Sequence, residues 1–285
     1  MLGSAQFGID YGISNKQGKT PIDEVGRIID ACLLHGIDHI DTACLYGDSE
    51  EVIGRLTSNE KFKIVTKTEH LVGALKTPDI SARFSSSLNK LGRSTIYGLL
   101  FHNANALLSS YGQKLYQQAE YLRSQGLVEK IGVSVYCSKQ VNYVLEHFDI
   151  DLIQLPVNVL DQSLIQDQSL KKLKERDIEI HCRSAFLQGL LLIDPERLNP
   201  YFSEIIPVLQ RWHEAARFGG GSAISAALGF LKNVEEIDRI IVGVNNLEQL
   251  NQLVSAYKVG QSIDCSSYAL TDSQYLDPSK WSLKD

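Results

Sequence analysis

Four side chains carry the chemistry this sequence can do. Asp41 and Tyr46 lie in HIDTACLYGDSE at 39–50, Lys67 in FKIVTKTE at 62–69, and His102 in YGLLFHNA at 97–104. They offer a carboxylate, a phenol, an amine and an imidazole. Together such groups can deliver a proton to a carbonyl oxygen while another agent delivers hydride to its carbon. A free tyrosine, with a pKa of about 10, is poorly matched to proton transfer near neutrality. An ammonium beside the phenol favours the phenolate and lowers that pKa. A carboxylate paired with the ammonium holds it in place. An imidazole nearby can orient the carbonyl oxygen or share the proton transfer. By this logic Tyr46 is the acid, Lys67 its perturber, Asp41 the anchor of Lys67 and His102 the orienting group. Each residue alone also has a plain reading. Asp41 could cap a helix, Lys67 could be a solvated charge and His102 a satisfied buried imidazole. Their shared position in the pattern favours catalysis.

That position comes from the elements around them. Each residue closes, or lies just beyond, a short apolar run, and amphipathic stretches separate the runs. Strands are expected at LGSAQ (2–6), within HGIDHID (35–41), and at KFKIVTKT (61–68), STIYGLLFH (94–102), KIGVSVY (130–136), DLIQLPV (151–157), DIEIHCRSA (177–185) and DRIIVGV (238–244). Helices are expected between them. In Asp23 to Leu34, for example, Val25, Ile28, Ile29, Cys32 and Leu33 fall at helical spacing. Others run from Ser49 to Leu56, Ile80 to Leu91, Gln113 to Gln125, Ser138 to His147, Ser169 to Arg176, Tyr201 to Phe218, Ser222 to Leu231 and Leu247 to Tyr257. Gly92 and Gly126 suit helix ends, and GGG at 219–221 reads as a helix break. The tail from Gln261 is polar and is expected to wrap the outside.

Eight strands, each followed by a helix and with no long linker, predict an α/β fold: a single (β/α)8 TIM barrel over residues 1–285. An open doubly wound sheet would need a Gly-rich fingerprint after its first strand, and GSAQFG is not one. In a barrel, chemistry sits at the C-terminal ends of the strands. Asp41, Lys67 and His102 all fall at strand ends.

With 44% hydrophobic and 22% charged residues the composition is that of an ordinary globular protein. A formal net charge of −6 without a basic block makes nucleic acid or an acidic membrane a poor partner. No apolar run approaches the ~20 residues that span a bilayer, and no signal peptide is evident. The five cysteines (Cys32, Cys44, Cys137, Cys182, Cys265) form no CxxC pair and fit reduced thiols in a cytoplasmic protein. His35 and His39 span a helix end and a strand start, and His181 and Cys182 point to opposite strand faces, so no metal is expected. Trp212 and Trp281 read as packing residues.

IDTAxxYG, a strand ending in TK and a strand ending in LLxH resemble the aldo/keto reductases. The likeness continues through IGVS (131–134), DLIQLPVN (151–158), RSAFLQGLL (183–191) and IIVGVNNLEQL (240–250). It implies a (β/α)8 barrel with Asp41, Tyr46, Lys67 and His102 as catalytic tetrad. It also implies NADPH, or less often NADH, bound extended across the rim. By the same resemblance, Ser4 and Ala5 touch the cofactor from the first strand, and Ser134 and Gln154 hold the nicotinamide carboxamide. Val135 stands where an Asn usually adds an amide contact. Arg183 occupies the place of an aromatic ring stacked on the nicotinamide; its charge would disfavour the oxidised cofactor. Ser184, Phe186 and Gln188 follow in the loop that meets the pyrophosphate. Gly243, Asn245 and Gln249 belong to the adenosine end, where Gly243 leads into a helix N-terminus suited to phosphate. Gly243 and Gln249 replace the Lys and Arg that many members direct at the 2′-phosphate, which makes NADH a serious alternative.

The first loop, FGIDYGISNKQG, and RSAFLQGLL resemble a branch found among bacterial surface-polysaccharide genes. That suggests a sugar-like aldehyde or ketone substrate, with Tyr11 and Phe186 in the pocket wall. The expected activity is NAD(P)H-dependent carbonyl reduction, or the reverse alcohol oxidation. The alternative is a cofactor-binding regulatory or sensor barrel with little turnover. A barrel isomerase or lyase would leave Gln154, Arg183 and VGVNNLEQL without a shared purpose. Oligomeric state is not legible.

Overall fold

Short β-branched and apolar runs, each too small to fold alone, pair in sequence order to form a ring. The strands are β1 (Leu2–Gly3), β2 (His39–Asp41), β3 (Lys63–Lys67), β4 (Ile96–Phe101), β5 (Val128–Ser134), β6 (Leu152–Pro156), β7 (Glu179–Arg183), β8 (Arg239–Ile240) and β9 (Val242–Gly243). The helices are α1 (Ala5–Gly8), α2 (Ile22–Leu34), α3 (Ser49–Leu56), α4 (Ile80–Leu91), α5 (Asn105–Leu108), α6 (Gly112–Ser124) and α7 (Ser138–His147). They continue as α8 (Ser163–Gln166), α9 (Ser169–Lys174), α10 (Ile206–Arg217), α11 (Ala223–Lys232), α12 (Leu247–Val259) and α13 (Ser273–Leu276). The structure, a computed structural model, describes residues 1–57, 61–71 and 79–283.

Every strand pair is parallel, and β8 and β9 lie at the two ends of the sheet order. They are consecutive pieces of the expected eighth strand. β8 pairs with β7 and β9 with β1, so the run 239–243 closes the barrel. Ile241 sits between the pieces and donates its N–H to Cys182 O at 2.8 Å. The result is the (β/α)8 TIM-barrel architecture.

Alternation along the strands stacks the barrel interior in layers. Lys67, His102 and Gln154 each stand two residues beyond Val65, Leu100 and Leu152, which pack together as an apolar floor. Gly98 makes room there: a Cβ would lie 3.1 Å from Leu152 and 3.2 Å from Val65.

Three expectations change. The first strand is not LGSAQ but Leu2–Gly3, and Ala5–Gly8 turns into a short helix. The turn buries Phe7 and presses Gly8 against the loop after β2, where a Cβ would lie 1.7 Å from Tyr46 O. The expected helix from Tyr201 begins as a 3-10 segment, Pro200–Ile205, and becomes α-helical only at Ile206, with Pro207 in its first turn. Proline is tolerated there and not farther inside. The tail does not merely wrap the outside. Cys265, Tyr268 and Tyr275 are buried and join Phe202, Leu209 and Trp212 in a second core. Leu270 N–H donates to Leu160 O at 2.8 Å and Gln162 Nε2 to Cys265 O at 2.7 Å. Residues 284–285 of the tail lie outside the described residues. GGG does break the helices: a 3-10 turn, Phe218–Gly220, separates α10 from α11. Among the described residues no helix is long and apolar enough to cross a membrane.

Candidate active site

The parallel register sets Asp41, Lys67, Ser134 and Arg183 as the last residues of β2, β3, β5 and β7. His102 follows β4 directly, and Gln154 pairs with Ser134 in β6. All face one rim.

Lys67 is the hub. Its ammonium donates to Asp41 Oδ1 and Oδ2, both at 2.7 Å, and to Thr42 O at 2.9 Å. Its contact to Tyr46 Oη is longer, 3.4 Å. Gln154 Nε2 donates to Asp41 Oδ1 at 2.8 Å, so the carboxylate is held from two sides. Lys67 and Asp41 are 2% and 4% exposed, a buried pair that persists only because each satisfies the other. Burial pulls the Lys67 ammonium below its ordinary range, and Asp41 pulls it back.

The Tyr46 phenol does not follow the expected direction. Burial pushes it well above the ordinary tyrosine value, Asp41 adds to the rise, and Arg183 opposes it. Burial is the main cause, and the neighbouring ammonium does not offset it. Lys67 is bonded to Asp41, and the pair is neutral as a unit, so little of the ammonium's field is left to favour phenolate. Tyr46 therefore keeps its proton at neutral pH. Because the Lys67 N–H points at Oη, the phenol's own O–H is free to be aimed elsewhere.

His102 stands edge-on to Tyr46, ring centroids 6.0 Å apart, and its backbone N–H donates to Thr68 Oγ1 at 3.3 Å. His70 lies 5.1 Å from it, centroid to centroid. Burial first, then Lys67 and His70, lower the His102 imidazole to about 4. Its Nδ1 is buried and has no hydrogen-bond partner among the described residues. Between about 4 and the ordinary value of about 6.5 the unfolded chain binds the proton that folded His102 refuses. Stability from this residue is complete above about 6.5 and falls as pH drops toward about 4. Urea unfolding across that window should show a shallower pH slope in His102→Gln; an unchanged slope would remove His102 as its source.

The other rim residues divide into two groups. Arg183 stacks on Tyr136, its Cζ 4.1 Å from the ring centroid, and donates to Val135 O at 3.1 Å and Ser184 Oγ at 3.3 Å. Its guanidinium charge reaches Tyr46, Lys67 and Tyr11. Ser184, Leu187 and Gln188 all have positive φ, at 60°, 47° and 53°, an arrangement non-glycine residues rarely adopt. The loop from β1 holds this one: Ile13 N–H donates to Gln188 O at 3.2 Å, and Gln188 Nε2 reaches Tyr11 Oη at 3.5 Å. Phe186 is half-buried between the two cores. Tyr11 and Gln188 thus meet at one edge of the mouth.

The second group is engaged internally. Ser4 is buried, and Ser49 Oγ donates to its Oγ at 2.8 Å; Ala5 is buried beside it. Asn245 N–H donates to Gln249 Oε1 at 2.7 Å, and Asn245 Nδ2 to Gly18 O at 3.2 Å. Gly243 is exposed, with Gln6 filling the space a side chain would take. Tyr136, which the sequence reads as the end of the fifth strand, lies beyond that strand in the loop after Ser134, where no spacing rule marks it. Thr42 contributes a backbone carbonyl, which no residue type announces.

A parallel (β/α)8 barrel with a polar cluster on its carboxyl rim is the architecture of a TIM-barrel enzyme. The sequence profile of the Aldo/keto reductase family matches residues 1–273, and the chain belongs to that family. Its members use nicotinamide cofactors. Among solved structures, an aldo-keto reductase from Bacillus halodurans in its holo form is 18% identical, with a TM-score of 0.74, covering 96% of this chain and 89% of its own. A glycerol dehydrogenase from Gluconobacter oxydans is 22% identical, with a TM-score of 0.70, covering 90% of this chain and 85% of its own. At such identities the likeness shows the fold. No curated protein matches the chain.

Proposed function

We propose that this chain reduces an aldehyde or ketone to an alcohol, or runs the reverse oxidation, with a nicotinamide dinucleotide as the redox partner. The observation that carries the reading is Tyr46 Oη lying 3.4 Å from Lys67 Nζ while Asp41 and Gln154 hold that ammonium and its counter-charge rigid. Two features fit the cofactor: the orphaned, buried Nδ1 of His102 beside Tyr46, and a groove beside Asn245 and Ser222. Ser134 and Gln154 would hold the carboxamide, and Ser184, Phe186 and Gln188 the pyrophosphate side. A bound reduced nicotinamide supplies the hydride.

The protein's own residues do the rest. The carbonyl oxygen is received between Tyr46 and His102. As charge develops on that oxygen, the Tyr46 phenol gives up its proton to it. The resulting phenolate is stabilised by the Lys67 N–H that already points at Oη. A neutral His102 donates or accepts without introducing a competing charge. Tyr11, Tyr136, Gln188 and Arg183 give the mouth hydroxyls, an amide and a guanidinium, a lining suited to a hydroxylated, sugar-like substrate. We place the protein in the cytoplasm, in keeping with its reduced cysteines.

The test is cofactor oxidation followed by absorbance with a panel of hydroxylated aldehydes and ketones against simple alkyl ones. The reading expects turnover with the panel and a higher kcat/KM for the hydroxylated members. Cofactor binding without turnover on any carbonyl would favour a sensor instead.

A further inference from the structure

A groove of about 1450 Å³ runs from the start of α2 and the turn before α11 along one side of α12 to Val259. Apolar Ile224, Ala256 and Val259 share its walls with Asn245, Asn251 and Gln252. Apolar faces with amides at the edges suit an aromatic base and its ribose.

At one end of the groove α12 begins. A helix start ordinarily presents unpaired N–H groups to a phosphate. Here the protein itself occupies them. Leu247 N–H donates to Glu24 Oε1 at 2.7 Å, Gln249 N–H to Asn246 Oδ1 at 2.9 Å, and the preceding Asn245 N–H to Gln249 Oε1 at 2.7 Å. Glu24 arrives from α2, more than two hundred residues away in sequence. Its carboxylate is 13% exposed, and Arg27 is ion-paired to it. Asp23 and Glu248 line the same groove, so among the described residues its walls carry three carboxylates and the single Arg27 guanidinium. A phosphate monoester entering here would meet net negative charge and would have to displace Glu24 from the helix start. A ribose with free hydroxyls would find carboxylate acceptors instead.

We propose that Glu24, by occupying the start of α12 with a carboxylate, sets a preference for NADH over NADPH at the adenosine end of the site. The proposal rests on the nicotinamide-dependent reading above. Glu24 is a specificity determinant and not a catalytic residue, because it lies away from the Tyr46 cluster.

Calorimetric titration of NADH and NADPH into the wild-type chain tests it without any substrate. NADH should bind at least about tenfold more tightly, a difference of about 1.4 kcal/mol. Glu24→Gln keeps an acceptor for the Leu247 N–H but removes the charge. It should raise NADPH affinity by about tenfold and leave NADH within about twofold. The groove can be probed alone with 5′-ADP and 2′,5′-ADP: the first should compete with NADH in wild type, the second only in Glu24→Gln. Tighter binding of NADPH by wild type would overturn the proposal. So would a Glu24→Gln variant, folded by circular dichroism, with an unchanged NADH-to-NADPH ratio. The wild-type ratio stands even if that variant does not fold. Equal binding of both dinucleotides by wild type also overturns the proposal but leaves the nicotinamide reading standing; binding of neither overturns that reading with it.

Discussion

Tyr46→Phe should lower kcat by about 10²–10⁴-fold, the range lost with a well-placed general acid, while cofactor affinity stays within about twofold. The variant removes one oxygen from a half-buried ring and leaves the ring itself in place against His102. Lys67 loses only its longest contact, 3.4 Å, and keeps Asp41 and Thr42. Folding should therefore be nearly unchanged, and the loss should fall on the chemical step. Stopped-flow turnover with a carbonyl substrate, paired with a cofactor titration, separates the two quantities. A variant that keeps most of its turnover would remove Tyr46 as the proton donor. The elevated phenol also predicts direction: at neutral pH Tyr46 is protonated, which suits reduction, whereas oxidation needs the phenolate and should gain rate as pH rises.

Asp41→Asn should be the most damaging substitution for stability, costing about 3–5 kcal/mol, because it leaves the Lys67 ammonium buried without its counter-charge. Lys67 donates twice to that carboxylate and is 2% exposed, so water cannot substitute. Urea unfolding measures the loss. The informative comparison is Asp41→Asn combined with Lys67→Met. Removing both charges should restore a large part of the stability without restoring turnover. If the single variant unfolds no earlier than wild type, the pair is not the buried ionic contact its geometry indicates.

The tetrad could be located from sequence because each member ends, or closely follows, an apolar run, and parallel strands of similar length align their ends. Where the runs were less regular, inference weakened. Ala5 and Gln6 read as strand and Phe7 and Gly8 as loop, yet the helix Ala5–Gly8 forms because Tyr46 and Ser49 press against it from a distant loop. The tail reads as polar because its buried members, Cys265, Tyr268 and Tyr275, are spaced among serines and aspartates; their partners, Phe202 and Trp212, lie far back in the chain. The direction of the Tyr46 shift was out of reach for a different cause. A Lys beside a Tyr predicts a lowered phenol only if the phenol stays solvated and the Lys uncompensated; here burial of Tyr46 dominates, and two Asp41–Lys67 bonds of 2.7 Å compensate the ammonium. Arg183 was placed correctly at the end of the seventh strand, but its stacking partner in this structure, Tyr136, belongs to a loop whose course no spacing rule describes.

The divided run 239–243 has a consequence for how the protein is made. Leu2 pairs with Val242 and His181 with Arg239, so the first and seventh strands both wait for the same five residues. Until that run has left the ribosome, two strand edges present unpaired amides and carbonyls. The contact that seals them is among the most distant in the chain, which makes it slow by topology. Most of the helical layer can assemble as it is synthesised, but the barrel is an open sheet, exposed to misassociation, until the last stave arrives.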